Sequence, residues 1–306
     1  MTTTEMLARK VKVQTPPSHP TLHSSHLKPK TPPTDVISQP NPKLSNGLSI
    51  PQIQLGLYMM SGPETTGAVH WALAAGYRGF DSAQWYENEA ETGTAILSYP
   101  NLTRADIFFT SKLRDNSTSY ATVRQSIAQS VATSNLGHID LFLLHSPYGG
   151  REARLTSWRA LEDAVLEGQV RMAGVSNYGV KHIEELMTWE DLRVKPVVNQ
   201  IEMHPFNTQV EIREVCDKHG IKIEAYAPLA RAMRFKHPVI KRLAAKYACS
   251  PAQLMVRWSI QHGFVTLPKS ARQDRLVANA DVGGFEISQE DMDEMDGLDE
   301  KLVTDW

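Results

Sequence analysis

The stretch Ile139-Asp140-Leu141-Phe142-Leu143-Leu144 is a mostly apolar run that is followed directly by His145. Two earlier runs end in the same way: Gly76-Tyr77-Arg78-Gly79-Phe80 leads into Asp81, with Tyr86 five residues later, and Ile107-Phe108-Phe109-Thr110-Ser111 leads into Lys112. Short apolar runs of this kind are typical of buried strands. Three consecutive strand-like segments thus deliver an imidazole, a carboxylate, a phenol and an ammonium group to the same ends of their strands. In a parallel α/β barrel these ends form the catalytic face.

Eight strand candidates alternate with amphipathic segments in the chain after residue 42. The strand candidates are Gln54–Leu57, Gly79–Asp81, Ile107–Lys112, Asp140–His145, Met172–Ser176, Val197–Ile201, Ile221–Tyr226 and Val265–Lys269. The helix candidates are Glu64–Ala75, Ser117–Asn135, Trp158–Glu167, Lys181–Met187, Val210–His219, Val239–Tyr247 and Pro251–His262. Such an alternation over about 260 residues is typical of an α/β protein with the (β/α)8 TIM-barrel fold.

A hairpin precedes the first strand candidate. Asn46-Gly47 separates two short segments, Lys43–Ser45 and Leu48–Ile50, and predicts a type I′ turn. We therefore expect a TIM barrel whose bottom is capped by an N-terminal β-hairpin. The alternative architecture is an open doubly wound sheet, which usually carries a G-x-G-x-x-G turn in its first unit. The sequence contains no such motif.

Residues 1–42 differ from the rest of the chain, because they are rich in Pro, Ser and Thr and show no hydrophobic periodicity. Such a segment buries too little apolar surface to offset its chain entropy. We predict a disordered extension over residues 1–42 and one barrel domain over residues 43–306. The extension is basic up to Asp35, which leaves open an organelle transit peptide. A solvated extension is preferred, because many prolines interrupt the segment and it lacks a clean amphipathic arginine helix.

The overall composition is that of a soluble globular protein. With 32 basic and 34 acidic residues the net charge is -2, which gives no reason to expect nucleic acid or a membrane as a partner. Two cysteines, Cys216 and Cys249, provide neither a disulfide framework nor a metal-ligand spacing, and they fit a reducing compartment. We expect a cytoplasmic protein without a bound metal, present as a monomer or a weak dimer.

The four polar residues at the strand ends suit the reduction of a carbonyl group. That reaction needs a hydride donor at carbon and an acid at oxygen. A tyrosine is a weak acid unless a nearby ammonium group stabilises its phenolate, and a carboxylate can hold that ammonium in place. Tyr86, Lys112 and Asp81 supply these groups, and His145 can orient the carbonyl oxygen. Each residue alone is more often structural, so the prediction rests on their joint placement.

Three motifs resemble the signatures of the aldo-keto reductases. They are Gly76–Ala83 with Tyr86-Glu87-Asn88-Glu89, then Gly174-Val175-Ser176-Asn177-Tyr178, and finally Leu267-Pro268-Lys269-Ser270 with Arg275 and Asn279. The resemblance covers about Lys43 to Trp306. It implies that Asp81, Tyr86, Lys112 and His145 are a catalytic tetrad in which Tyr86 is the general acid.

A cluster of cations after the last strand candidate predicts a phosphate site. Lys269, Ser270, Arg272 and Arg275 lie within seven residues, next to a helix start. Without the tetrad, an ordinary basic helix start would be the first interpretation. The family resemblance implies that the Lys, Ser and Arg side chains bind the 2′-phosphate of NADPH, so NADPH is favoured over NADH. Asn279 completes this motif, but Ala278 stands where many relatives have glutamate, and we expect fewer adenine contacts.

The same resemblance assigns the rest of the cofactor site and a substrate pocket. Asn177 and Gln200, together with Ser176, are expected to hold the nicotinamide carboxamide, and Tyr226 is expected to stack on the ring. Leu229 and Arg231 are expected near the pyrophosphate. Tyr58 and Trp85 are expected to form aromatic walls of the substrate pocket. Ser146 stands where tryptophan often follows the catalytic histidine, which predicts a wider and more polar pocket. The chain ends at Trp306, so we expect no long C-terminal loop over this pocket.

The leading hypothesis is an NADPH-dependent carbonyl reductase. One alternative is a nicotinamide-binding regulatory protein with the same fold and little turnover. Another is an unrelated TIM-barrel hydrolase or metal enzyme with His145 and His204 as ligands, which is disfavoured because no carboxylate-rich strand ends accompany them. Sugars, simple aldehydes, keto esters and other ketones all remain possible substrates.

Overall fold

A computed structural model describes residues 41–304 of the chain. The predicted N-terminal extension therefore lies outside the described residues, apart from its last two positions. The division into an extension and a barrel domain stays a prediction.

Eight parallel strands follow one another around a barrel in chain order. They are β1 (Leu55–Gly56), β2 (Gly79–Asp81), β3 (Phe108–Leu113), β4 (Ile139–Leu144), β5 (Val170–Ser176), β6 (Val198–Glu202), β7 (Lys222–Tyr226) and β8 (Val265–Leu267). The last strand returns to the first through a parallel bridge between Ile53 and Thr266. The Thr266 amide donates to the Gln52 carbonyl at 2.8 Å, and the Gln54 amide donates to the Thr266 carbonyl at 3.0 Å. This closure confirms the predicted TIM barrel and excludes the open sheet.

Helices surround the strands, and at least one helix lies between each strand and the next. They are α1 (Gly62–Ala74), α2 (Glu89–Ser98), α3 (Tyr120–Ser134), α4 (Gly150–Leu166), α5 (Val180–Met187), α6 (Val210–His219), α7 (Pro238–Lys246), α8 (Pro251–Gln261), α9 (Gln273–Ala280) and α10 (Gln289–Asp296). The sequence did not predict α2 or α10, and it indicated only the start of α9. In α2 the apolar pattern is weak and Gly93 interrupts it. That glycine is needed for packing, since a Cβ there would lie 1.8 Å from the Ser134 carbonyl oxygen at the end of α3.

Side chains that alternate along the strands form an inner and an outer core. Leu141 and Leu143 of β4 face the barrel interior, where they pack with Leu44 and Ile50 of the N-terminal hairpin. Phe142, between them, belongs to the outer layer beneath the helices. The hairpin thus supplies two apolar side chains to the interior core, as a cap on the barrel requires.

The hairpin forms as predicted, but its turn is different. An antiparallel bridge joins Lys43 and Ser49, and the Gly47 amide donates to the Leu44 carbonyl at 2.9 Å. Only Gly47 has a positive φ, of 82°, whereas a type I′ turn needs positive φ at both central residues. Asn46 instead acts through its side chain, whose Oδ1 accepts from the Leu48 amide at 3.1 Å. The type I′ prediction was therefore wrong.

Across residues 41–304, every helix is too short or too polar to cross a bilayer.

Candidate active site

A cavity of about 1330 Å³ opens at the carboxyl ends of the strands. It is lined by residues from loops that lie far apart in the sequence. Of the predicted site residues, the cavity wall contains Asp81, Tyr86, His145, Ser176, Asn177, Gln200, Tyr226, Leu229, Arg231, Lys269, Ser270, Arg272, Arg275, Asn279, Tyr58, Trp85 and Ser146. Lys112 lies immediately behind this wall and is fully buried. The structure therefore brings all of the predicted residues to one place.

The Lys112 ammonium group is fixed between Asp81 and Tyr86. Its Nζ donates to Asp81 Oδ1 at 2.6 Å, to the Ser82 carbonyl at 2.9 Å and to the Tyr86 hydroxyl oxygen at 3.3 Å. These three acceptors match the three N–H donors of an ammonium group. Because the Tyr86 oxygen accepts from Lys112, its own hydrogen can be donated to another group. The positive charge is placed where it stabilises a phenolate.

The backbone around Tyr86 is held by buried polar contacts. Tyr86 ends a single 3₁₀ turn, and Glu87, with a φ of 54°, redirects the chain after it. Asn88 accepts from the Ser82 hydroxyl at 2.6 Å, and its amide donates to the Leu57 carbonyl at 2.9 Å. The loop after β2 is thus tied to the loop after β1, so that the phenol keeps its place beside Lys112.

His145 follows β4 directly and faces the same phenol. Its ring lies edge-on to the Tyr86 ring, with 5.8 Å between the centroids. Burial, together with the Lys112 charge, lowers the pKa of His145 to about 3. The imidazole is therefore neutral near neutral pH. It can orient a carbonyl oxygen through a hydrogen bond, but it does not serve as a cationic acid.

A chain of hydrogen bonds joins the predicted nicotinamide residues. The Tyr226 hydroxyl donates to Asn177 Oδ1 at 3.0 Å, and Asn177 Nδ2 donates to Ser176 Oγ at 3.2 Å and to the His145 carbonyl at 3.0 Å. Asn177 has a φ of 60°, which turns the backbone just after β5. The strand ends of β5 and β7 are thereby coupled at the base of the cavity.

Gln200 connects this cluster to the buried ion pair. Its Nε2 donates to Asp81 Oδ2 and to Glu224 Oε2, each at 2.8 Å. Both amide hydrogens are therefore used inside the protein, and the side-chain oxygen is the group that remains for a ligand. Glu224 was not anticipated. The signal that could have revealed it is a lone acidic residue within the apolar run Ile221–Tyr226.

The predicted phosphate site lies beside the start of α9. Arg272 forms a two-point ion pair with Asp274, through contacts of 3.1 Å and 2.7 Å. Lys269 and Arg275 make no ion pair within residues 41–304. Ser270 Oγ accepts from the Arg272 amide at 3.1 Å. Lys269, Arg275 and this hydroxyl could contact an anion in this part of the cavity, while Asp274 already holds one edge of the Arg272 guanidinium group.

The outer part of the cavity is aromatic, as expected, and also contains charged residues. The Tyr58 and Tyr86 rings lie 5.1 Å apart, and the Arg114 guanidinium carbon lies 4.1 Å from the centre of the Trp85 ring. The sequence interpretation missed four residues that line this region: Met59, Arg114, Asp115 and Tyr148. Arg114 directly follows β3 and comes two residues after Lys112. A search for polar residues just past the end of each strand candidate would have found it.

Known proteins resemble this chain in sequence and in structure. The profile of the Aldo/keto reductase family matches residues 52–300. The chain belongs to the aldo-keto reductases. An oxidoreductase of Schizosaccharomyces pombe is 47% identical over 267 residues, which are 86% of this chain and 95% of that protein. The glyoxal reductase of Bacillus subtilis is 40% identical over 84% of this chain and 91% of its own length. An aldo-keto reductase from a Medee basin deep-sea metagenome library has a TM-score of 0.81 at 33% identity, covering 86% of this chain and 96% of that one.

This aldo-keto reductase is an oxidoreductase, and its family generally uses a nicotinamide cofactor. Glycine-rich dinucleotide motifs are absent from the chain, so the strand-end residues described above are the ones that could hold such a cofactor. The described residues include no group of three or more His, Cys, Asp or Glu side chains placed to hold a metal ion. His204, considered as a metal ligand, contacts Glu202 at 3.1 Å and does not line the cavity.

Proposed function

We propose that this aldo-keto reductase uses NADPH to reduce aldehydes or ketones to alcohols, with Tyr86 as the general acid. The position of Lys112 supports this proposal most directly. Its buried ammonium group touches both the Asp81 carboxylate, at 2.6 Å, and the Tyr86 hydroxyl, at 3.3 Å. A tyrosine placed in this way can release its proton more easily than an isolated one.

Each member of the tetrad has a separate task. Bound NADPH would supply a hydride to the carbonyl carbon. Tyr86 donates its proton to the oxygen as negative charge develops there. Lys112 stabilises the phenolate that remains, and Asp81 fixes Lys112. His145, which is neutral, donates its one N–H to the carbonyl oxygen and holds that oxygen near the phenol.

The cavity residues fit a nicotinamide dinucleotide. The side-chain oxygens of Gln200 and Asn177 suit the amide hydrogens of a carboxamide, and the Tyr226 ring, fixed through its hydroxyl, suits stacking on the nicotinamide. At the other end, Lys269, Ser270 and Arg275 offer two cations and a hydroxyl to a 2′-phosphate. NADH lacks this phosphate, so the proposed preference is for NADPH.

Small aldehydes are the first substrates to test. The pocket beside Tyr86 is wide, and the aromatic side chains of Tyr58 and Trp85 are 40% and 52% exposed there. A relative that is 40% identical is a glyoxal reductase. We therefore propose small aldehydes, including dicarbonyl compounds, as the initial panel, followed by keto esters and sugars.

Replacing Tyr86 with phenylalanine tests the mechanism. The variant should bind NADPH as the wild type does, but kcat for aldehyde reduction should fall by about 10²–10⁴, the usual contribution of a general acid. The decrease in NADPH absorbance measures turnover, and quenching of tryptophan fluorescence measures binding. Tyr99→Phe is the control, because it removes a phenol at the end of α2.

Retention of most of the activity in Tyr86→Phe would exclude Tyr86 as the acid. A wild-type protein that binds NADPH but reduces no carbonyl in a broad panel would instead favour the regulatory alternative.

A further inference from the structure

A second buried carboxyl group, that of Glu224, lies behind the proposed tetrad. Glu224 is on β7, and none of its surface is exposed to solvent. Its Oε1 accepts from Gln54 Nε2 at 2.9 Å, and its Oε2 accepts from Gln200 Nε2 at 2.8 Å. The same Gln200 nitrogen donates to Asp81 Oδ2 at 2.8 Å. One amide thus links Glu224 to the carboxylate that holds Lys112.

The charges in this region balance only if Glu224 is neutral. Asp81 and Lys112 form an ion pair of 2.6 Å, with side-chain exposures of 4% and 0%. No basic side chain within residues 41–304 forms an ion pair with Glu224. An ionised Glu224 would therefore add an uncompensated charge to a buried site, which is strongly unfavourable.

Burial and the groups around Glu224 determine its protonation state. Burial, reinforced by the Asp81 charge on β2, raises the pKa of Glu224 to about 8. The hydrogen bond from Gln200, the Lys112 charge on β3 and the hydrogen bond from Gln54 act in the opposite direction, but they do not cancel the effect of burial. Glu224 is therefore mainly protonated near neutral pH.

Gln54 provides an acceptor for the proton of a neutral Glu224. The Gln54 side-chain oxygen is buried and has no hydrogen-bond partner in the described part of the chain. In the orientation described above, the Gln54 nitrogen donates to Glu224 Oε1 at 2.9 Å. Half a turn of this amide would exchange its nitrogen and oxygen, and the oxygen could then accept the hydrogen of a protonated Glu224.

We propose that Glu224 is a positioning residue for the reduction, whose neutral carboxyl group fixes the Gln200 amide and keeps excess negative charge away from Tyr86. This role rests on the proposed function. When Tyr86 has donated its proton, the phenolate and Asp81 already place two negative charges beside Lys112. Ionisation of Glu224 would add a third and would make proton donation less favourable.

The pH dependence of kcat tests this role. With saturating NADPH and aldehyde, wild-type kcat should fall roughly tenfold as the pH rises through about 8, the effect of a one-unit change in a neighbouring pKa. Glu224→Gln mimics the protonated acid and should lose this fall, with little change in KM. A role that is only structural would lower kcat equally at every pH.

Glu89→Gln is the matched control. Burial raises the pKa of Glu89 as well, and this carboxyl group accepts a hydrogen bond from Ser111. Ser111 precedes Lys112 on β3 and points to the opposite face of the strand. Glu89→Gln should therefore keep the wild-type pH profile.

Infrared spectroscopy gives a test that does not require Glu224→Gln to fold. It uses the Glu89→Gln variant, because burial raises the pKa of Glu89 and a protonated Glu89 would give a band of its own. At pH 7 the spectrum should contain the carbonyl band of one protonated, buried carboxylic acid, and this band should disappear as the pH rises through about 8. A folded protein without the band would overturn the proposal, as would superimposable pH profiles for Glu224→Gln and the wild type. A wild type that reduces no carbonyl would refute the proposed function itself.

Discussion

Replacing Lys112 with methionine separates the structural contribution of the buried ammonium group from its chemical one. The Lys112 and Asp81 charges lie 2.6 Å apart and are almost completely buried. At an effective dielectric constant of about 20 they attract each other by about 6 kcal/mol. Much of this attraction offsets the cost of removing both groups from water. Methionine leaves the Asp81 carboxylate buried without a cation, and we expect a loss of about 3–5 kcal/mol in the free energy of unfolding.

Adding Asp81→Asn to Lys112→Met should restore most of that stability, because no charge then remains at the site. The double variant should still be less active than the wild type by at least about 100-fold, since Tyr86 has lost the neighbouring cation. Urea unfolding, followed by tryptophan fluorescence, measures stability in the wild type, both single variants and the double variant, and NADPH oxidation measures activity.

Two results would contradict this reasoning. A loss below about 1 kcal/mol in Lys112→Met would show that Asp81 does not depend on Lys112 for its burial. A double variant as unstable as Lys112→Met would show that the lost stability comes from packing, not from the unpaired carboxylate.

Two further changes test the cofactor site and the packing of α2. Lys269→Ala combined with Arg275→Ala should raise the dissociation constant of NADPH far more than that of NADH, because only NADPH carries the 2′-phosphate; equal effects in fluorescence titrations would exclude this assignment. Gly93→Ala should lower the free energy of unfolding by about 1–3 kcal/mol, because the new Cβ would lie 1.8 Å from a backbone oxygen of Ser134, which cannot rotate away. Gly67→Ala in α1 is its control and should stabilise the protein by about 0.5–1 kcal/mol, since its Cβ would meet only the Trp71 side chain at 3.7 Å or more. Equal stability of the two variants in urea would refute the packing argument.

The order of the strands and the residues at their ends could be predicted from the sequence, because both depend on short stretches of neighbouring residues. A buried strand needs a short apolar run, and a polar side chain at its carboxyl end has a fixed place once the strands are parallel. Asp81, Lys112 and His145 were located in this way. The helix α2 was missed because its apolar pattern is weak and interrupted by Gly93. The turn at Asn46-Gly47 was given the wrong type, because Asn46 uses its side chain and not a left-handed backbone conformation.

Contacts between distant strands were decided only by closure of the barrel. Gln200 is 119 residues from Asp81 and 24 from Glu224 in sequence, yet a single nitrogen bonds both carboxyl groups. Likewise, the pairing of Arg272 with Asp274 depends on side-chain orientation at the start of α9. Sequence periodicity determines which face of a strand a residue occupies. The register and curvature of all eight strands together determine which residues meet across the interior, and no local segment carries that information.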